Sequence, residues 1–197
     1  MDQPVLVKDD LIEIRWHGRG GQGVVTAGKL LADAALDAGL YFQTFPDYGP
    51  ERMGAPIRAF TRLSAKPIHV HSQITHPNVV IVLDPTVMDA VDVTEGLAED
   101  GTLIVNTETS PQEIRTRLGV EGGRVFTVDA DAISLKHLER KITNTTMLGA
   151  MTTALGIFDL TELTGQIRHK FERKFGDEVV EANIAALREA AESTLEG

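Results

Sequence analysis

A glycine-rich stretch near the amino terminus, residues 17–23, holds the residue types best suited to binding chemistry in this chain. It reads His-Gly-Arg-Gly-Gly-Gln-Gly, and its glycines satisfy the G-x-G-x-x-G spacing of phosphate-binding loops. Glycine permits positive φ angles and lets a ligand approach the backbone closely. Where such a loop leads into a helix, the first N–H groups of the helix attract anions. The stretch predicts a phosphate-binding loop, and the alternative is a tight turn with no ligand.

Two side chains within the stretch favour the binding interpretation. Arg19 adds positive charge, and Gln22 supplies an amide that a simple turn does not require. The predicted ligand-binding residues of this loop are Gly18, Arg19, Gly20, Gly21, Gln22 and Gly23.

The flanking segments have the patterns that would position this loop. Residues 11–16 alternate apolar with charged residues, which predicts a strand with one polar face that carries Glu13 and Arg15. Residues 24–38 place apolar side chains on one helical face, and Gly39 follows as a C-cap. The expected order is strand, glycine loop, helix.

A second loop, residues 46–56, also carries candidate binding groups. Three prolines and two glycines fix its path after a strand at residues 41–45, and it presents Asp47, Tyr48, Glu51 and Arg52. The alternative is a surface loop with an internal salt bridge between Glu51 and Arg52. Locally, residues 11–66 contain seven basic and five acidic residues, although the whole chain has a formal net charge of −10. This segment is therefore the one suited to an anionic ligand or an acidic partner surface.

Histidines raise the question of a metal site. Residues 68–73 alternate like a strand and place His69 and His71 side by side, with His76 nearby. No carboxylate stands at a suitable spacing, so a solvated or interface strand face is favoured and no metal site is predicted.

The rest of the chain predicts a layered α/β/α arrangement with a mixed, largely parallel sheet, in one domain that spans residues 1–197. The run 79–83 is apolar throughout, as in a central strand, and Asp84 follows it either as a ligand-edge residue or as a helix N-cap. Residues 143–158 carry no charge, which predicts deep burial or contact with another subunit. Further strands are expected at 57–63, 103–106 and 125–129, and helices at 86–91, 111–118, 131–140, 162–175 and 177–195.

Composition narrows the functional classes. The net charge of −10 argues against nucleic-acid binding, no apolar run is long enough for a membrane span, and no signal peptide is recognisable, so the cytoplasm is expected. The chain has no cysteine, which excludes cysteine-ligated iron–sulfur clusters of its own. No catalytic triad, paired carboxylates or Walker lysine is recognisable. Residues alone indicate a ligand-binding or interface-forming module, with no catalytic residue assigned.

Three blocks in order, residues 13–23, 45–60 and 144–150, resemble the gamma subunit of pyruvate:ferredoxin oxidoreductase (pyruvate synthase) and related 2-oxoacid:ferredoxin oxidoreductases. The resemblance implies an assembly that converts a 2-oxoacid, with pyruvate expected, to acyl-CoA and CO2. It implies that thiamine diphosphate and iron–sulfur clusters reside in the alpha, beta and delta subunits, and that electrons pass to ferredoxin. The gamma chain itself is implied to bind coenzyme A through the glycine loop, Glu51, Arg52 and Asn144. Many members of the family have Arg where this chain has Met53.

Two other functions stay open. One is an independent NAD(P)-dependent oxidoreductase in which Asp47 binds the ribose hydroxyls. The other is a purely architectural subunit whose glycine loop holds no ligand. The sequence does not distinguish pyruvate from branched 2-oxoacids or 2-oxoglutarate.

Overall fold

A computed structural model of the chain describes residues 11–47 and 54–197, and these form one seven-stranded sheet with helices on both faces. The strands are β1 (Ile12–Arg19), β2 (Tyr41–Asp47), β3 (Pro56–Ser64), β4 (Val79–Val82), β5 (Thr102–Asn106), β6 (Arg124–Val128) and β7 (Leu195–Glu196). The helices are α1 (Val24–Asp37), α2 (Pro111–Leu118), α3 (Ala130–Leu138), α4 (Asn144–Leu155), α5 (Leu160–Phe171) and α6 (Asp177–Ser193), and Pro85–Asp89 forms a 3-10 turn.

The sheet is mixed, with the strand order β2-β3-β1-β4-β5-β6-β7. The adjacent strands β1, β4, β5 and β6 run parallel to one another. The strand β3 is antiparallel to both β1 and β2, and β7 is antiparallel to β6. Five of the seven strands therefore point the same way, which confirms the predicted α/β class. One face carries the main core, formed with α1, α3, α4, α5 and α6, and the other face packs against α2 and the 3-10 turn.

The uncharged segment becomes a helix buried in this main core. Ten of the twelve residues of α4 are buried, and Gly149 lies so close to α6 that an added Cβ would stand 2.0 Å from the carbonyl oxygen of Leu187. Small side chains here allow two helices to approach closely. Of the two alternatives for this segment, deep burial is the one that the structure has.

Two local predictions are wrong. Residues 68–73 form no strand and pair with no strand of the sheet; the carbonyl oxygens of Ile68 and Val70 instead accept hydrogen bonds from the side chains of Gln43 and Arg62. His69, His71 and His76 are exposed, and within residues 11–47 and 54–197 no group of three or more metal-binding side chains occurs. The last helix ends at Ser193, and β7 follows it beside β6.

No helix among the described residues is long and apolar enough to cross a membrane.

Candidate functional site

The glycine loop joins the carboxyl end of β1 to the start of α1, as the sequence predicts. Gly21 and Gly23 have φ angles of 97° and 81°, in the left-handed region that favours glycine. At Gly18, an added Cβ would stand 2.6 Å from a methyl group of Val24. The loop therefore needs glycine for its backbone path and for its packing, whether or not a ligand binds.

The loop lies where the sheet topology opens a crevice. The strands β1 and β4 are adjacent and parallel, but α1 packs on the main-core face while the 3-10 turn after β4 packs on the opposite face. In open α/β sheets, ligands bind outside the carboxyl ends of two strands whose connections diverge in this way. Asp84 lies two residues after the end of β4 and accepts a hydrogen bond from Gln22 of the glycine loop across the crevice.

Hydrogen bonds hold the loop in place. The side-chain oxygen of Gln22 accepts from the N–H of Arg19 at 2.7 Å, and its amide nitrogen donates to Asp84 at 2.5 Å. The Arg19 guanidinium donates to the Thr86 hydroxyl at 2.8 Å and to the carbonyl oxygen of Gly54 at 3.0 Å. Both polar side chains of the loop are thus engaged within the protein.

Asp84 is ionised in this arrangement. Its burial raises the pKa of the carboxyl, but hydrogen bonds from Thr86 and Gln22, with the charge of Arg19, outweigh burial and lower the pKa below its usual range. Asp84 also accepts from the N–H of Thr86 and so caps the 3-10 turn. The sequence leaves two roles open for Asp84, a ligand-edge residue or a helix N-cap, and in the structure its side chain acts as the N-cap.

Two helix starts meet beside the loop. Gly23 is the N-cap of α1, and an added Cβ there would stand 2.7 Å from the side-chain nitrogen of Asn144, the first residue of α4. Neither helix has a capping side-chain hydrogen bond at its N-cap, and neither has an acidic residue in its first turn. Two helix dipoles therefore present partial positive charge at one corner of the molecule.

Asn144 is nearly enclosed, with 7% of its surface exposed. Its side-chain oxygen accepts from the N–H of Thr145 at 2.8 Å. Its side-chain nitrogen has no hydrogen-bond partner among the residues that the structure describes. The nitrogen is a donor held at the junction of two helix starts, which suits an oxygen-rich anion.

Of the predicted loop residues Gly18, Arg19, Gly20, Gly21, Gln22 and Gly23, the structure places Gly23 beside Asn144, more than 120 positions away in the sequence. Glu51 and Arg52 lie outside the described residues. The assignment of all these residues to a ligand stays a prediction.

The geometry differs from that of a dinucleotide-binding fold. In that fold the second strand lies beside the first and its acidic end residue reaches the ribose. Here β3 separates β2 from β1. The Asp47 carboxylate accepts from Arg58 at 3.0 Å and from Gln73 at 3.1 Å.

The sequence predicts the polar face of β1, but it does not reveal that Arg15 and His17 on this face are buried. Arg15 and His17 are each 3% exposed. Arg15 donates to the side chain of His17 at 3.0 Å and to the carbonyl oxygens of Val93 and Glu95 at 3.0 and 2.6 Å. Residues 93–95 thus cover this face of β1. The only sign of this burial in the sequence is the spacing of Arg15 and His17, which places two basic side chains next to each other on one face of the strand.

His17 is neutral in the folded chain. Burial lowers the pKa of its imidazole to about 3, with further lowering by the charges of Arg15 and Arg58. Burial likewise lowers the pKa of Arg15, with Arg58 adding to it. His17 precedes the glycine loop directly, so this buried pair anchors the strand end from which the loop starts.

Comparison with known proteins gives the same family throughout. The sequence model of the family described as pyruvate ferredoxin/flavodoxin oxidoreductase matches residues 13–193. The common gamma subunit of the pyruvate/ketoisovalerate oxidoreductases from Pyrococcus abyssi is 48% identical over 184 residues, 93% of this chain and 97% of that protein. Pyruvate synthase subunit PorC from Thermotoga maritima is 46% identical over 180 residues, 91% of this chain and 93% of that protein.

Solved structures have the same fold. A crystal structure of the pyruvate oxidoreductase subunit PORC from Thermotoga maritima superposes with a TM-score of 0.84 at 42% identity, covering 96% of this chain and 99% of that chain. A 2-oxoglutarate:ferredoxin oxidoreductase from Magnetococcus marinus, with 2-oxoglutarate, coenzyme A and succinyl-CoA bound, has a TM-score of 0.77 at 20% identity, covering 94% of this chain and 32% of that chain. This second likeness shows the fold alone. By its sequence over residues 13–193 and by its structure, the chain belongs to the pyruvate ferredoxin/flavodoxin oxidoreductase family, as a chain of the gamma-subunit type.

Proposed function

We propose that this chain is the gamma subunit of a multisubunit oxidoreductase that converts pyruvate and coenzyme A to acetyl-CoA and CO2 and passes the electrons to ferredoxin. The observation that carries the proposal is identity of 46–48% to pyruvate synthase and pyruvate/ketoisovalerate oxidoreductase gamma chains over more than 90% of this chain. Residues 1–197 act as one gamma-type domain. The complex works in the cytoplasm.

The reactive cofactors belong to the partner chains in this proposal. Cysteine-ligated iron–sulfur clusters need thiolates, and this chain has none. As the family resemblance implies, the alpha, beta and delta subunits hold the clusters and thiamine diphosphate in this proposal, and this chain holds no catalytic residue. Its own contribution is to bind coenzyme A and to contact those subunits.

The junction of α1 and α4 supports the coenzyme A assignment. Coenzyme A carries a pyrophosphate and a phosphorylated ribose, and uncapped helix starts with a free amide donor suit such groups. In this proposal the loop Gly18, Arg19, Gly20, Gly21, Gln22 and Gly23, together with Glu51, Arg52 and Asn144, forms the binding surface.

An architectural role is the second candidate, and one observation favours it. Gln22 and Arg19 already bind partners within the protein, at Asp84, Thr86 and Gly54. In that case the loop only docks against other subunits. The position of Asp47 and the order of β2 and β3 give no support to an independent NAD(P)-dependent oxidoreductase.

Purification of the complex through a tag on this chain tests the proposal. We expect co-purifying polypeptides of the alpha, beta and delta types, with bound thiamine diphosphate and iron. The complex should reduce ferredoxin with pyruvate faster than with 2-oxoisovalerate or 2-oxoglutarate, and only with coenzyme A present. Turnover by the chain alone would contradict the proposal, and a preference for another 2-oxoacid would correct the substrate.

The coenzyme A role has its own test. We expect Arg52→Ala in the assembled complex to raise the KM for coenzyme A, while Arg117→Ala leaves it unchanged. Arg117 is the matched control because it pairs with Asp89 on the other side of the sheet. An unchanged KM with intact assembly would remove Arg52 from the binding surface.

A further inference from the structure

The two edges of the sheet differ in length and in protection. The edge strand β7 has two residues, whereas β2 at the opposite edge has seven. Long edge strands attract further strands, and native proteins commonly block them with lysine, proline or a covering segment. The strand β2 has no lysine, its charged residue Asp47 pairs with Arg58, and its proline, Pro46, stands next to its end. Most of this edge therefore lacks the usual blocking residues.

Hydrogen bonds around β1 determine which backbone groups of β3 point toward β2. On the side of β4, the carbonyl oxygen of His17 accepts from the N–H of Leu83, the residue after β4. Because backbone groups alternate in direction along a strand, those of the preceding residue, Trp16, point toward β3. Trp16 lies opposite Ala59, so Ala59 bonds to β1. The next residue of β3, Phe60, therefore bonds to β2.

The outer edge of β2 follows from the same alternation. Phe60 lies opposite Phe45, so Phe45 bonds to β3, and the backbone groups of Phe42, Thr44 and Pro46 point away from the sheet. Proline has no N–H, so this edge presents N–H donors at Phe42 and Thr44 and carbonyl acceptors at all three residues. Outside the pairing with β3, the residues that the structure describes give these groups no hydrogen-bond partner. Such a row of backbone groups suits one more strand.

A second copy of this chain fits the row in one register. Two identical strands can pair antiparallel about a two-fold axis, so that the same surface is used by both copies. With the axis at Gln43, Phe42 lies opposite Thr44 of the second copy, and the pair exchanges two hydrogen bonds on each side of the axis. With the axis at Thr44, the Pro46 ring would stand against Phe42 and offer it no donor. The axis at Gln43 is therefore favoured.

Side chains and charge support the same register. Tyr41 is 49% exposed, and in this register it lies opposite Phe45 of the second copy, where aromatic pairs stabilise a sheet. Phe45 already packs against Phe60, with ring centroids 5.3 Å apart, so Tyr41 would extend an aromatic row. The chain has a net charge of −10, but residues 41–46 carry no charge, so like charges do not oppose contact here.

We infer that β2 is a self-association surface, at which two copies of this chain pair their β2 strands antiparallel and join their two seven-stranded sheets into one. The surface needs no coenzyme A and no catalytic partner, so the inference goes beyond the proposed function. Within the proposed complex it would bring two gamma chains side by side.

A single introduced cysteine tests the register, because the full-length chain has no cysteine of its own. On the axis, Gln43 faces Gln43 of the second copy in a pair without mutual hydrogen bonds, where the Cα atoms lie about 4.5 Å apart, within reach of a disulfide. We expect Gln43→Cys to give a disulfide-linked dimer under mild oxidation. Tyr41→Cys is the matched control, because it faces Phe45 and not itself. Equal linkage in both variants, or linkage in neither, would overturn the inference.

Sedimentation of the full-length wild-type chain tests the surface without any variant. We expect a dimer that dissociates on dilution. Thr44→Pro removes an N–H that points outward and none that bonds to β3, so it should raise the dissociation constant of the dimer about tenfold or more. Thr44→Val keeps this N–H and removes the hydroxyl group, so it is the control and should associate like the wild type.

Two results would overturn the inference. The first is a dimer of Thr44→Pro as tight as that of the wild type, which would place the contact elsewhere. The second is a wild-type chain that stays monomeric at every concentration. If the amides of Phe42 and Thr44 then exchange with solvent slowly only in the assembled complex, the added strand belongs to a partner subunit and not to a second copy.

Discussion

The starts of α1 and α4 differ from the starts of α2, α3 and α5. In the second group a side chain accepts a hydrogen bond from the first turn, and an acidic residue stands in that turn: the caps are Ser110, Asp129 and Asp159. In α1 and α4 the N-cap residues are Gly23 and Thr143, neither with a side-chain cap, and neither first turn is acidic.

The difference shows which helix starts keep N–H groups and partial positive charge that no side chain of the chain neutralises. A capping oxygen and a nearby carboxylate neutralise the N–H groups and the dipole of a helix start. Even α6, whose N-cap Gly176 offers no side chain, has Asp177 and Glu178 in its first turn. The starts of α1 and α4, called open starts here because they have neither a side-chain cap nor an acidic first turn, meet at Gly23 and Asn144, which is why we propose this corner as the binding site.

The largest expected effect is on the pH dependence of stability, and it comes from His17 in β1, the strand that leads into this corner. His17 takes up a proton near pH 6.5 in the unfolded chain but only near pH 3 in the folded one. Between these values the unfolded chain binds more protons, so the free energy of unfolding should fall as pH falls, by up to about 1.4 kcal/mol per pH unit.

His17→Gln keeps an acceptor for Arg15 and removes this titration. Urea unfolding from pH 7 to pH 4 should therefore show a flatter pH dependence in His17→Gln than in the wild type, while the exposed His71→Gln matches the wild type. Equal slopes in all three would mean that His17 is not buried in the neutral form.

The next largest effect concerns the open start of α1. Gly23→Ala places a Cβ at a φ of 81° and 2.7 Å from the Asn144 side chain. The left-handed conformation costs a non-glycine residue about 1–2 kcal/mol and the displaced neighbour adds to it. We expect a loss of about 2 kcal/mol in urea unfolding. Gly165→Ala is the control because an added Cβ there meets nothing within 4 Å and the site is helical, so it should be neutral or stabilising.

A smaller effect is expected at a closed start, which is a helix start with a side-chain cap and an acidic first turn, as in α2, α3 and α5. Asp159→Ala removes the capping box of α5, in which Asp159 accepts from the N–H of Glu162 and Glu162 accepts from the N–H of Asp159. We expect a loss of about 1 kcal/mol. Thr143→Ala at the open start of α4 removes no capping bond and should cost less. If the two losses were equal, the distinction between open and closed starts would have no energetic basis.

The strand and helix patterns predicted most of this fold. The buried strand β4, the helix α2 at 111–118 and the uncharged helix α4 follow from apolar periods and helix signals that act locally. The strand prediction for residues 68–73 is wrong because the apolar–polar alternation there occurs in a segment that pairs with no strand. The burial of the polar face of β1 could not be predicted because it depends on residues 93–95, which are distant in the sequence.

The candidate site could be predicted in its parts but not in its assembly. Glycine spacing reveals the loop, since left-handed φ angles demand glycine. The contact of Gly23 with Asn144 depends on how α4 packs against α1 and α6 in the main core, which no local pattern contains. A cavity of about 580 Å³ beside Asn144 is lined by residues of α1, α3, α4, α5 and α6, so it likewise forms only when these helices pack together.

The central claim is that the open corner at Gly23 and Asn144 binds the anionic part of coenzyme A, and Asn144→Asp tests it most directly. The change keeps the shape of the side chain, adds one negative charge at two helix starts and should leave the chain equally stable or slightly more stable. In the assembled complex we expect the KM for coenzyme A to rise about tenfold, equivalent to about 1.4 kcal/mol, with the KM for pyruvate unchanged. Gln112→Glu, the same change of charge in the first turn of α2, should have no effect on either constant. An unchanged KM for coenzyme A in a fully assembled Asn144→Asp complex would contradict the account.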